Sequence, residues 1–399
     1  MGITTTAPTC VRVSARWWQR RQIGRAVAAL PKQAEGAQDV SASQPPAPLG
    51  LHCGEWVEVR SEQEILATLD ADGRLNGMPF MPEMLHFCGR RFRVFKRAHK
   101  TCDTVLKTGG RRLQQAVHLE GVRCDGAAHD GCQAGCLIFW KEAWLKRVSD
   151  DATPPASTPD SVPALSSTSC TRERLILATR GDASPDAASA VYTCQATRLL
   201  EATTRLPWWD VRQYLEDYSS GNVALPRMLA SVSFSLYNML IHLGIGIGPP
   251  LRWFYDRFQS IVGGVPYPHR TGRVPAGEST PTCSLGLKPG DWVRVREYPA
   301  ILTTLDGSNR NRGLRFDCEA VPYCGGVYKV VARVDRIIDE QSGRMLHFKN
   351  PSVTLDGVYC RARYSRHRLF CPRSIYPMWR DIWLEQVSEP QATGERAET

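Results

Sequence analysis

The chain lacks the glycine-rich phosphate loops of nucleotide enzymes. HLGIGIGPP at 242–250 has neither a strand–turn–helix context nor the basic residue such a loop needs. No HExxH and no serine elbow occurs, so the common zinc-protease and serine-hydrolase constellations are excluded. Residues 1–30 hold no continuous apolar segment before a cleavage site, which argues against a secretory signal and for a cytoplasmic protein. Fourteen cysteines in 399 residues are too sparse for a disulfide scaffold. They cluster with histidine instead, the pattern of reduced thiols and metal.

What is present is an ordinary globular composition with an excess of base. Hydrophobic residues make up 42% and charged residues 23%, so the chain folds rather than staying disordered. A net charge of +10 admits an acidic partner such as nucleic acid, anionic lipid or an acidic protein. Its length leaves room for two or three domains.

Residues 1–49 form a basic extension with no acid before Glu35, carrying Trp17 and Trp18. Its opening Met1-Gly2 with Thr6 fits a short myristoylation pattern. Residues 50–149 read as a first unit, opened by the alternating strand Glu55-Trp56-Val57-Glu58-Val59-Arg60. A short helical turn at Ile65-Leu66 follows, then strands at 92–96 and 116–119. Residues 150–187, dense in Pro, Ser and Thr, read as a linker. Residues 188–265 read as a helical segment in which Asp210 caps a helix from Val211. Within it, 228–248 is apolar; a buried core helix followed by a turn is preferred over a spanning segment, because Asn238 and His242 interrupt it. Membrane association and a protein interface are the alternatives for this stretch. Residues 389–399 are a polar tail.

Residues 285–388 repeat the first unit at a constant offset. LGLKPGDWVRVREYPAILTTLD echoes LGLHCGEWVEVRSEQEILATLD. Trp56 matches Trp292, Asp70 matches Asp306, Phe80 matches Phe316, Glu83 matches Glu319 and Cys124 matches Cys360. After a three-residue insertion, Cys132, Trp140 and Trp144 match Cys371, Trp379 and Trp383. Agreement over about a hundred residues reads as internal duplication. The Gly-acid-Trp-Val-x-Val-Arg opening of each unit resembles SH3-like or KOW-type small barrels. That resemblance implies an α+β fold: a tandem repeat of small, partly open β-barrels, each with a C-terminal helix. It also implies peptide or nucleic-acid binding.

The chemistry concentrates in CDGAAHDGCQAGC. Cys124, His129, Cys132 and Cys136 are an inventory for a tetrahedral soft-metal site, most often Zn²⁺. The second copy adds Cys360, Cys371 and His367, has Ile375 at the place of Cys136, and brings the matched pair Cys88 and Cys324 under suspicion. A helix over 132–148 is expected to carry Cys132, Cys136, Trp140 and Trp144 at i+4 steps, with Pro372 opening its counterpart. His99 and Cys102, replaced by Asp335 and Ile338 in the second copy, form a candidate nucleophile pair or a surface loop. Arg361, Arg363, Tyr364, Arg366, Arg368, Phe370 and Arg373 form an arginine–aromatic loop suited to phosphates and bases.

The expected function is a metal-stabilised binding or scaffold protein with a protein partner. The alternatives are a metalloenzyme or thiol redox protein using Asp125 or Asp130 beside the first-unit site, and nucleic-acid binding through the arginine loop.

Overall fold

The computed structural model describes residues 48–148, 170–181 and 190–389. It is a mixed α+β structure of several small antiparallel sheets, one of them a half-barrel, with a few helices. Most of the basic extension, of the proposed linker and of the polar tail lies outside the described residues.

In the first half the chain runs through β1 (Trp56–Val59), α1 (Glu62–Leu66), the short β2 (Arg74–Leu75) and β3 (Met78–Pro79), then β4 (Arg91–Arg97) and β5 (Lys100–Cys102). It continues through β6 (Gly110–Arg112), β7 (Ala116–Leu119), β8 (Trp140–Lys141) and β9 (Leu145–Arg147). The half-barrel has the order β8-β7-β4-β1-β9. Alternation in WVEV turns Val57 and Val59 fully inward. Ser61 then starts α1 with a capping box: its side chain accepts from Glu64 N–H while the Glu64 carboxylate accepts from Ser61 N–H at 2.9 Å.

Between the halves lie α2 (Arg172–Thr179), the paired strands β10 (Arg180–Gly181) and β11 (Val191–Tyr192), and α3 (Leu199–Ala202). The strand β12 (Thr204–Leu206) joins β6 and β5 in a second sheet, followed by α4 (Arg212–Ser219), α5 (Leu225–Ile241) and α6 (Gly248–Val262). The segment is therefore helical only in part. Asp210 sits just ahead of α4, accepting from Arg212 N–H at 3.1 Å, but Val211 is the cap residue. The expected core helix forms as α5, yet only Ser231, Phe234 and Ile241 of it are buried. No described helix is long and apolar enough to cross a membrane.

The second half contains β13 (Trp292–Val295), α7 (Tyr298–Leu302), the two-residue strands β14 (Arg310–Asn311) and β15 (Leu314–Arg315), and the long hairpin β16 (Val327–Ile338) and β17 (Met345–Leu355). It closes on β18 (Leu384–Val387), giving the sheet order β17-β16-β13-β18. Local details run parallel in the two halves. Phe80 meets Trp144 edge-on at 5.1 Å, and Phe316 meets Trp383 at 5.2 Å. The Trp144 indole donates to Thr68 Oγ1 at 3.2 Å; that of Trp383 donates to Thr304 Oγ1 at 2.9 Å.

Neither C-terminal helix exists. Residues 124–139 are loop, Trp140 lies on β8, and Trp144 ends a 3₁₀ turn from Glu142. The i+4 spacing imitates a helix, but Gly126, Gly131 and Gly135 all adopt positive φ and turn the chain repeatedly. Pro372 opens no helix either; Phe370 and Ser374 on either side take positive φ. Both tryptophans are fully buried all the same, because the β8 strand and the turn after it point them into the half-barrel core.

The halves meet through reciprocal contacts. Cys102 N–H, at the end of β5, donates to Cys371 Sγ at 3.1 Å. Ile338 N–H, at the end of β16, donates to Cys132 Sγ at 3.3 Å. Each half thus lends a strand end to the other's cysteine loop. Gln133 strengthens one side, its side-chain oxygen accepting from Asp335 N–H at 2.8 Å and Arg336 N–H at 3.1 Å.

Candidate metal centre

Glu83 enters the site from a 3₁₀ turn, Pro82–Phe87, whose neighbours Met81 and Met84 are buried in the core. A carboxylate there is withdrawn from water and must find compensating partners. The loop 124–136 supplies them. Cys124 N–H donates to Cys136 O at 2.8 Å, closing the loop at its base. His129, Gly131 and Cys132 tighten its tip with backbone bonds, the first two to Gly126 O at 2.9 and 3.0 Å. Gly126 has φ +72°, and a Cβ there would stand 2.1 Å from Cys132 O, so only glycine permits this turn. The result is a buried imidazole facing a buried carboxylate.

The ligand atoms of Glu83, Cys124 and His129 lie within 4.8 Å of one another. The His129 Nδ1 is hydrogen-bonded to Glu83 Oε1, and Cys124 Sγ lies 3.9 Å from that same oxygen. His129 Nε2 is 3.0 Å from the carbonyl of Thr193. A carbonyl only accepts, so Nε2 donates to it; Nδ1, turned toward the cluster, donates to the Glu83 carboxylate, and a bound cation would take the place of that proton. A backbone carbonyl orienting the distal N–H is the usual support of a metal-binding histidine. Glu83 Oε2 is buried with no hydrogen-bond partner among the described residues. An acceptor left so is what a cation would satisfy.

Burial works against ionised Glu83, but hydrogen bonding and charge from His129 outweigh it and hold the carboxyl below its ordinary range. Burial, with Glu83 and Cys136 nearby, drives the Cys124 thiol far up. Without a cation Cys124 is therefore a neutral thiol; a bound divalent ion reverses that balance.

Three more thiols stand beside the cluster. Cys132, Cys136 and Cys194 line, together with Cys124 and His129, a cavity of about 40 Å³. Burial pushes Cys136 up to about 12 and raises Cys194 too. One carboxylate, one imidazole and up to four thiols form a borderline-soft donor set, which fits Zn²⁺ better than a hard cation. Glu83 and Cys194 escaped the sequence reading of the site. The match of Glu83 with Glu319, an acid kept inside an apolar run, was the available signal for the first. Cys194 lies beyond the long Pro/Ser/Thr-rich stretch, where no local spacing points to it.

The other expected ligands lie elsewhere. Cys88 is half-buried, with Glu62 and Arg172 for charged neighbours, and Cys324 feels Glu297. His367 is exposed and faces Trp208 at 6.4 Å rather than Cys360. Cys360 N–H donates to Ile375 O at 2.8 Å, as Cys124 does to Cys136. Cys371 is packed against Cys102, whose hydrogen bond overcomes burial and holds the Cys371 thiol down at about 7. Asp125 and Asp130 are exposed on the loop surface. His99 does not meet Cys102; its Nε2 lies 3.3 Å from Asp217.

The arginine loop is largely engaged internally. Arg368 pairs with Asp317 at 2.5 Å, and buried Arg373 pairs with Glu340 at 2.7 Å. Tyr364 and Phe370 are buried. Arg366 stacks over Trp208 at 3.6 Å, while Arg361 and Arg363 lie over Tyr323 and Tyr364 at 5.4 and 5.6 Å.

No protein-family model matches the chain, and no curated protein or solved structure shows significant similarity to it.

Proposed function

We propose that this chain is a two-unit binding or scaffold protein whose first unit is fastened by a structural Zn²⁺ at Glu83, Cys124 and His129. On this reading the two halves are copies of one SH3-like unit that exchange strand ends. The observation that carries the metal reading is the buried Glu83–Cys124–His129 cluster with its unpartnered carboxylate oxygen. The thiols of Cys132, Cys136 and Cys194 line the same small cavity beside the cluster. Fixing the 124–136 loop also fixes the Cys132 and Gln133 contacts to β16, so the ion organises the seam between the units.

A structural role is favoured over a catalytic one by space. A catalytic zinc keeps an open position for substrate, whereas a cavity of about 40 Å³ accommodates only a few water molecules. The test is elemental analysis of the purified chain beside Cys124→Ser and Glu83→Gln, with unfolding followed in parallel. One zinc per chain, lost in both variants together with stability, is the expected result. A stable, metal-free wild type overturns the proposal; metal loss without loss of stability overturns the structural role.

A further inference from the structure

The α5–α6 hairpin presents an apolar face to solvent. Leu229, Leu236 and Leu240 recur along the outer side of α5, Ile245 sits in the connecting turn, and Trp253 and Phe258 are exposed on α6. Leu229, Ile245 and Trp253 are 60, 68 and 68% exposed, far above the exposure that isolated surface leucines need to explain. Residues 228–251 contain no Asp, Glu, Lys or Arg, so no charge interrupts the surface at the end of the hairpin. The hairpin's other face is anchored by Phe234, which packs edge-on against Tyr364 at 4.9 Å, while the Tyr237 hydroxyl ties the two helices together by donating to Leu251 O at 2.7 Å. Its apolar outer face is thus held in place rather than left loose.

A cationic cleft of about 860 Å³ adjoins the same hairpin. Met239 and Leu243 form one wall; Lys107, Arg310, Arg315 and Arg366 lie along the others. Arg366 reaches Met239, its guanidinium 3.7 Å from the sulfur, so the basic and apolar surfaces are continuous. The two acids of the cleft are already engaged. Asp317 pairs with Arg368, and Asp103 accepts from the N–H groups of Leu106 and Val105 at 2.7 and 3.1 Å. Among the described residues no carboxylate lies within ion-pair distance of Lys107, Arg310, Arg315 or Arg366.

We infer that this face docks on an anionic phospholipid bilayer, the hairpin sinking into the acyl boundary while the cleft takes headgroup phosphates. The charge-free stretch 228–251 matches a hydrocarbon surface, and arginine suits phosphate. No described helix is long and apolar enough to cross a bilayer, so the inferred docking is one in the interface plane. A second copy is a poorer occupant: an isologous contact through this face brings the two unneutralised cationic rims together.

The test is flotation of the full chain with phosphatidylcholine vesicles, alone or with phosphatidylserine, over a salt series. Binding to the anionic vesicles, weakening as salt rises, is expected. Leu236→Asp with Leu240→Asp lowers it on the order of tenfold or more. Arg310→Ser with Arg315→Ser removes the preference for phosphatidylserine. All four side chains are surface residues, and far-ultraviolet circular dichroism melts report whether the variants fold. Quenching of wild-type tryptophan fluorescence by bromine-labelled acyl chains, reduced in Trp253→Ser, reads the same insertion without altering α5. Failure to float with either vesicle overturns the inference. So does a hairpin variant that floats as well as wild type, a dimer in light scattering that Leu236→Asp dissolves, or a cleft that retains single-stranded RNA while ignoring vesicles.

Discussion

Glu83 and Glu319 occupy matching places in the two halves and are held by different means. Glu319 accepts three backbone N–H groups, from Arg363 at 2.8 Å, Tyr364 at 2.6 Å and Ser365 at 3.0 Å. Glu83 accepts one such bond, from Ala128 at 3.2 Å, and otherwise faces the His129 ring and the Cys124 thiol. Ser365 stands where His129 stands in the first half. The same buried acid is therefore a loop anchor satisfied by the backbone in one half, and an acceptor with one oxygen still unpartnered in the other. A buried glutamate accepts loop N–H groups in both halves; histidine at 129 is what makes the first a metal candidate.

The strongest way to break this contrast is to erase it. His129→Ser gives the first half the second half's residue, and loss of the metal together with several kcal/mol of stability is expected, seen as a lower Tm and a zinc-free protein by elemental analysis. Chelation of the wild type is expected to mimic the variant. If His129→Ser keeps its zinc, the imidazole is not a ligand and the distinction between the halves lies elsewhere.

The next effect concerns how each half is stapled. Lys100 on β5 is buried with its Nζ 2.5 Å from the carboxylate of Asp217 on α4. Burial lifts the Asp217 carboxyl to about 6, with Lys100 pulling the other way. Arg336, at the matching place on β16, instead donates to Gly131 O at 3.2 Å. Lys100→Met leaves the buried Asp217 without its ammonium partner, with only the His99 ring and Asn222 beside it, and is expected to cost about 3–5 kcal/mol. Arg336→Met loses one partly exposed bond and is expected to cost about 1 kcal/mol. Urea unfolding of the two variants measures the difference, and equal losses would remove this asymmetry.

A smaller effect separates the two glutamates by pH. Burial outweighs the three N–H groups and raises the Glu319 carboxyl, so folding favours its protonated form. That contribution is fully present below the unfolded value of about 4.5 and is lost as pH rises through the folded value. Glu319→Gln cannot titrate. Its stability relative to wild type is therefore expected to improve as pH rises above about 4.5 in denaturant titrations. A constant difference would show that the carboxyl is not raised.

Much of the strand pattern was legible from alternation alone: β1, β4, β7 and α1 fall where the side-chain periods put them. The failures have physical causes. Cys132, Cys136, Trp140 and Trp144 keep a helical spacing, but the glycines at 126, 131 and 135 take φ values that end helices, and the tryptophans are drawn inward by the half-barrel. Of the metal candidates, Cys124 and His129 were legible because they lie close in sequence. Glu83 was not, since its role depends on a loop some forty residues later, and Cys194 lies farther still. The apolar stretch 228–248 was read as core because hydrophobicity alone does not say whether a helix has neighbours on both faces.

The smallest effect tests equivalence instead of difference. The indole N–H of Trp144 donates to Thr68 and that of Trp383 to Thr304, matching bonds in matching cores. If the halves are copies that share a packing scheme, Thr68→Val and Thr304→Val should each cost about 1–3 kcal/mol, because each strands a buried indole N–H. The two losses should agree to within about 0.5 kcal/mol and add in the double variant, since the cores are separate. Unequal losses would mean that the half carrying the metal candidate holds its core by other means. The bond at Thr68 would then matter less there because the 124–136 loop, not the tryptophan, sets the rigidity of the first half.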